Sequence, residues 1–174
     1  KGSGITSPAD GIPQGDNFDI DYVVHEVGHQ MGANHTFSFS NEGTGRNKEI
    51  GSGITIMVYK RKTAYDVAPH SIDTFHQTSI EQIQQNLANK TCPVTTNMTQ
   101  NHPPVVASVP NYTIPISTPF ALTGSATDQD GDALTYQWEQ NDNATSSGSS
   151  SPASPGKTTG PNWLSFPPSA SGTR

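Results

Sequence analysis

The sequence predicts an α+β chain in two parts, a helical part first and a β-rich part after it. Two runs of apolar residues at three- and four-residue steps fall before residue 90, and a polar stretch ending in proline lies at 95–104. Short β-branched and aromatic runs, broken by Pro, Gly and Asp, follow from 105 onward. These shifts set the expected boundaries: a first domain over 1–94, a linker over 95–104, and a small, incomplete β-sandwich over 105–174.

Taking the elements in order, Ile20, Val23, Val24, Val27 and Met31 recur at helical spacing, which predicts a helix from Asp19, as N-cap, to a stop at Gly32. Residues 36–77 show little periodicity and carry Gly43, Gly45, Gly51 and Gly53, so they read as loops around the short apolar run Ile54 to Tyr59. Loops of that length need an organiser, and a metal would serve. Overlapping capping-box patterns at Thr78, Ser79, Glu81 and Gln82, with Ile80, Ile83 and Leu87, predict a second helix ending near Asn89. After the linker, strands are expected within 105–109, 112–116, 120–123 and 134–138, a low-complexity mobile loop over 141–162, and one more strand at 163–166.

Composition limits what such a chain does. With 30% hydrophobic residues, 16 Gly and 14 Pro in 174 residues, turns are frequent and any core is modest. No apolar run approaches the ~20 residues of a spanning helix, which argues against a membrane span. Nine basic against 15 acidic residues give a net charge of −6, and the basic ones are scattered apart from Lys60, Arg61 and Lys62, so nucleic acid is not an expected partner. The chain starts at Lys1 with neither an initiator Met nor a signal-peptide pattern, and is expected to be a processed or excised piece. Abundant Ser, Thr, Asn and Gly suit a secreted protein. Cys92 stands alone, either as a small hydrophobe or as half of a disulfide with a segment outside this sequence.

The chemistry concentrates in HEVGHQMGANH, residues 25–35. On a helix, His25 and His29 stand one turn apart and project together, beside the apolar stripe. Gly32 lets the chain turn sharply and return His35 toward them. Three imidazoles satisfy the ligand count of a catalytic zinc site, which keeps its fourth position for water. Glu26, next to a ligand, is the candidate general base for that water. Five fixed positions at roughly one in twenty each make a chance match in such a chain rarer than about one in ten thousand, so a metal site outweighs three unrelated surface histidines. His70, His76 and His102 lack ligand spacing and read as surface or packing residues.

This His-Glu-x-x-His-x-x-Gly-x-x-His string resembles the zinc signature of the metzincin metallopeptidases. Together with HTF at 35–37, GSGITIM at 51–57 and FHQTSIEQI at 75–83, it is most similar to the reprolysin-like and pappalysin-like members in secreted bacterial proteins, over about residues 5–92. The resemblance implies zinc on His25, His29 and His35, Glu26 as general base, and a polypeptide substrate. It implies that Met57 forms the methionine turn beneath the metal, with a plain core Met as the alternative. Tyr59 matches a tyrosine that in some members lies near the metal; it either hydrogen-bonds the oxyanion or packs. Two departures stand out. Lys60, Arg61 and Lys62 follow the methionine turn where small or apolar residues are usual, and are expected to face solvent. Only 24 residues precede His25, so the upper subdomain that aligns substrate in metzincins is expected to be missing.

In the second part, ATDQDGDALTYQW at 126–138 sets Asp128, Asp130 and Asp132 at alternate positions around a Gly turn, a candidate calcium site against the plainer reading of an acidic turn. This part resembles the cadherin-like or PKD-like immunoglobulin-fold modules appended to secreted bacterial enzymes, which implies a spacer or adhesion role. The reading as a whole is a zinc metalloendopeptidase fragment. A binding module with structural zinc and a zinc hydrolase of non-peptide substrates remain the alternatives, and the sequence says nothing of oligomeric state.

Overall fold

The structure, a computed structural model, describes residues 3–8, 11–60, 63–145, 148 and 152–174. It divides into two compact units, one of Lys1–Thr91 with Glu139–Ser165, the other of Cys92–Trp138 with Phe166–Arg174. The division differs from the expected boundaries in two respects: residues 139–165, assigned from sequence to the β module, belong to the first unit, and residues 92–94, assigned to the first domain, belong to the second.

The motif helix is built from three successive segments: α1 (Asp16–Phe18), a π-helical segment (Asp19–Val24) and α2 (His25–Gln30). It starts earlier than expected, because Gly15, at φ 78°, caps it and Asp19 sits inside it in αR geometry. In the π segment the His25 N–H bonds to Ile20 O, a five-residue step. That wider turn breaks the expected single apolar stripe. Ile20 and Val24 pack against the core, whereas Val23, Val27 and Met31 remain largely exposed. The expected stop holds: Gly32 has φ 107°, and Ala33 N donates to Gly28 O at 3.0 Å while Gly32 N donates to His29 O at 3.0 Å.

The core of the first unit is Ala33, Ile56 and Met57, joined by Ile20, Val24, Phe75 and Ile83. Among the described residues every buried hydrophobic side chain lies in this unit. The loops over 36–77 are organised by hydrogen bonds around one buried carboxylate. Glu49 accepts from Ile54 N at 2.8 Å, Thr55 N at 3.0 Å, Thr55 Oγ1 at 2.5 Å and the Thr36 hydroxyl. The order that a metal was expected to supply thus has a second source within the chain.

The second long helix, α3 (Gln77–Ala88), forms as expected, with a different cap. Nδ1 of His76 accepts from Thr78 N at 3.1 Å, and Thr78 and Ser79, the expected caps, are buried in the first turn. His76 itself is fully buried, so of the two roles open to it packing applies.

Within 139–165, Glu139, Ala144 and Gly148 do not hang free as the low-complexity composition of 141–162 suggested. Gln77 N donates to Glu139 Oε2 at 2.7 Å, Ala144 N to Asn47 O at 2.8 Å, and Gly148 N to Phe39 O at 2.9 Å. Composition misled because these contacts use backbone groups, which Ser, Gly and Asn offer as well as any residue.

In the second unit, β1 (Val105–Val106) pairs antiparallel with β2 (Ala126–Thr127), Val105 opposite Thr127. Of the expected strands, 112–116 and 163–166 have no regular pairing, and 120–123 and 134–138 contribute isolated bridges, Thr123 with Thr173 and Tyr136 with Ser169. Pro115 removes a ladder donor within the expected strand 112–116, and Pro110 and Pro119 bound the expected strands on either side of it. Gly124 lies under the Trp138 ring, whose Nε1 donates to Gly172 O at 2.9 Å.

Candidate metal centre

The helix and the turn after it deliver three imidazoles to one point. Nε2 of His29 stands 3.1 Å from Nε2 of His25 and 3.0 Å from Nε2 of His35. Ligand atoms of all three lie within 4.8 Å of one another, and this is the only such His, Cys, Asp or Glu grouping among the described residues.

The opposite ring nitrogens determine what those three atoms are. Nδ1 of His25 lies 2.8 Å from Ile56 O, and Nδ1 of His29 2.8 Å from Ala33 O. A carbonyl oxygen only accepts, so each Nδ1 carries the proton and each Nε2 presents a lone pair. Nδ1 of His35 meets a carboxylate instead, with Glu42 Oε1 at 3.0 Å and Oε2 at 3.1 Å. Burial lowers the pKa of His35, against the raising pull of its hydrogen bond and charge contact with Glu42, and so favours a neutral ring. Lone pairs converging at this distance repel unless a cation stands between them. Ligands about 2.0–2.1 Å from one tetrahedral zinc ion stand roughly 3.3 Å apart, within about 0.3 Å of the separations found here. The donor set therefore fits zinc, with every ligand oriented by an outer partner.

Met57 is fully buried and faces Gly28, on the turn between His25 and His29. A Cβ on Gly28 would lie 2.5 Å from Met57 Sδ and 2.9 Å from Phe75 Cε1, so only glycine leaves room for the thioether there. The Met57 carbonyl accepts from Thr36 N at 3.0 Å, tying the turn to the residue after His35. An aromatic wall closes one side: the His35 ring stacks on Phe37 at 4.7 Å and meets Tyr59 at 4.6 Å, and Tyr59 stacks on His25 at 5.6 Å. Burial, with the nearby Glu42 and Glu26 carboxylates, raises the Tyr59 pKa and keeps the phenol protonated. Glu26 and His29 line a cavity of about 480 Å³ together with Ser3, Gly4, Gln30 and Asn86.

Two expectations change. Lys60, expected to face solvent, is buried, its ammonium donating to Gly53 O, and burial lowers its pKa to about 8 against the raising effect of Glu49, Asp21 and Asp66. Its charge is thus directed into the loop that carries Met57; Arg61 and Lys62 lie outside the described residues. Asp128, Asp130 and Asp132 do not gather into a ligand cluster. Asp128 Oδ1 accepts from Asp130 N at 2.8 Å and Asp132 N at 3.2 Å, and Asp130 is held by His102 N at 2.6 Å and by its ring. The Asp128 carboxylate closes an acidic turn. Cys92 is free and exposed.

Sequence reading missed Glu42, Glu49, Gly28 and Phe37. Gly28, inside the motif, was the most accessible to it, because a glycine between two ligands one turn apart signals close packing. The three others act across loops with no periodic signal.

A model of the metallopeptidase family M12B, reprolysin-like, matches residues 1–87. Comparisons with curated proteins and with solved structures return no match. No helix among the described residues is long and apolar enough to cross a membrane. The match spans the helix, the triad, Met57 and most of α3, and the chain belongs to the reprolysin-like metallopeptidases of family M12B.

Proposed function

We propose that the first unit is a zinc-dependent endopeptidase centre in which His25, His29 and His35 hold the metal, Glu26 is the general base and the substrate is a polypeptide. The observation that carries this reading is the convergence of three Nε2 lone pairs, two of them fixed by Nδ1–H donation to carbonyls. Bound zinc would acidify a water and polarise the scissile carbonyl. Glu26, at the cavity shared with His29, accepts the proton that water gives up and passes it to the leaving amine as the C–N bond breaks. Tyr59, its phenol kept protonated by burial, is a donor for the oxyanion of the tetrahedral intermediate. Met57 is the floor that fixes the triad from below. The second unit, with its antiparallel pairing and Trp138 packed on Gly124, is read as an immunoglobulin-like spacer of a secreted bacterial protein.

The test is hydrolysis of an unstructured protein, such as casein, by the zinc-loaded chain beside Glu26→Gln at matched zinc content. Turnover falling by about 10²-fold or more in Glu26→Gln, with zinc retained, supports the assignment. Equal turnover in both forms refutes the role of Glu26. Turnover in neither, with tight zinc binding, favours a structural metal.

A further inference from the structure

His35 differs from its two companions in what orients it. The partners of His25 and His29 are backbone carbonyls, which the surrounding fold holds rigidly. The partner of His35 is the side chain of Glu42, which is itself about one-third exposed and sits on a loop without regular structure. A carboxylate on the outer nitrogen orients an imidazole and makes its inner nitrogen a stronger donor to a metal, but only while the carboxylate stays in place.

Two sets of contacts hold it. Asn47, buried, closes the loop from within: its Nδ2 donates to Phe37 O at 2.6 Å and Ser40 O at 3.3 Å, and its Oδ1 accepts from Glu42 N at 3.4 Å. Asn141, Ala144 and Gly148 close it from outside, as a strap. Ala144 N donates to Asn47 O at 2.8 Å, Asn41 Nδ2 to Ala144 O at 3.1 Å, Gly148 N to Phe39 O at 2.9 Å, and Lys48 Nζ to Asn141 O at 2.7 Å. The strap therefore grips the loop on both sides of Glu42.

We propose that Glu42 is the positioning residue of the third metal ligand and that Asn141, Ala144 and Gly148 lock it there, so that the metal affinity of the triad depends on residues about 100 positions along the chain, Ala144 being 103 beyond Asn41. This rests on the zinc reading above.

The experiment measures zinc affinity of the full chain by competition with a chromophoric chelator, for wild type, Glu42→Gln, Glu42→Asp, Ala144→Pro, Asn41→Ala and the Glu42→Gln/Ala144→Pro double variant. Circular dichroism of the zinc-free forms checks folding, and Asn41→Ala, which deletes one strap contact without backbone change, stands in if Ala144→Pro misfolds. Glu42→Gln is expected to weaken zinc by about 10- to 100-fold and to alter the visible spectrum of the cobalt-substituted site, with partial recovery in Glu42→Asp. The strap variants are expected to weaken zinc severalfold, and the double variant to be no weaker than Glu42→Gln alone. Wild-type affinity in Glu42→Gln, while His29→Ala abolishes binding, overturns this inference and leaves the zinc site standing. Strap effects that add fully to Glu42→Gln overturn the locking role. Undiminished zinc binding in His29→Ala overturns the zinc reading and this inference with it.

Discussion

Glu49 is 4% exposed and accepts hydrogen bonds from the Ile54 and Thr55 amides and the Thr55 hydroxyl, in the stretch that leads to Ile56 and Met57, and from the Thr36 hydroxyl. Replacing it with Ala orphans the Ile54 and Thr55 amides, at about 1–3 kcal/mol for each unsatisfied buried donor. The Thr36 hydroxyl loses less, since Met57 O is already 3.3 Å away as a second acceptor. Glu49→Ala should therefore lose about 2–6 kcal/mol, a large part of the 5–15 kcal/mol typical of a domain. Glu49→Gln should lose much less. Its carbonyl oxygen still serves both amides, and its NH₂ donates to Thr hydroxyls able to turn and accept, so the cost is the difference between charge-assisted and neutral bonds, about 1–2 kcal/mol. Urea unfolding of the zinc-free chain, followed by the near-UV signal of the Phe37 and Tyr59 cluster, separates the two variants. Because Ile56 O orients His25, Glu49→Ala should also weaken zinc. An Ala variant within 1 kcal/mol of wild type, or a Gln variant as unstable as the Ala one, would refute the view that this carboxylate organises the loop.

Lys60 gives a pH signature: its folded pKa of about 8 lies below the ordinary 10.5, so between these values the unfolded chain binds a proton that the folded chain does not. The Lys60 contribution to stability should rise with pH from about 8, by at most about 1.4 kcal/mol per unit, and Lys60→Gln should flatten the rise, leaving only the smaller part from Lys48 and Lys157, whose pKa values burial also lowers. The raised Tyr59 pKa acts in the opposite sense above pH 10, so denaturant titrations between pH 8 and 10 are the window. Gly32→Ala forces a Cβ onto φ 107° and places it 3.0 Å from Asn86 Cβ, which should cost about 1–3 kcal/mol and weaken zinc through His35; urea midpoints and chelator competition read both. Zinc at about 100 times its Kd should add roughly 2.7 kcal/mol of stability, seen as a higher thermal midpoint that EDTA reverses and His25→Ala eliminates.

How much of this centre is legible in the sequence depends on how far along the chain each contact reaches. His25 and His29 meet because a helix repeats, and His35 follows because Gly32 turns the chain, so the spacing of a few residues contains the triad. The start of the helix was misplaced by one turn because Gly15 acts through a positive φ, which its identity permits but does not demand. The same gap affected Lys60. Nothing in KRK marks one lysine as buried until Gly53 O and Glu49 are seen beside it. The oxygens that orient the imidazoles come from Ala33, Ile56 and Glu42, and only the first is within a helical turn of its histidine. The loop of Glu42 is in turn closed by Asn141, Ala144 and Gly148, in a segment whose Ser and Gly content reads as a mobile loop. A ligand set can therefore be read from local spacing, whereas the rigidity that tunes it is spread through contacts that leave no period behind. Substitutions far from the motif, at the strap residues Asn141, Ala144 and Gly148, should move the metal affinity while leaving the motif itself intact.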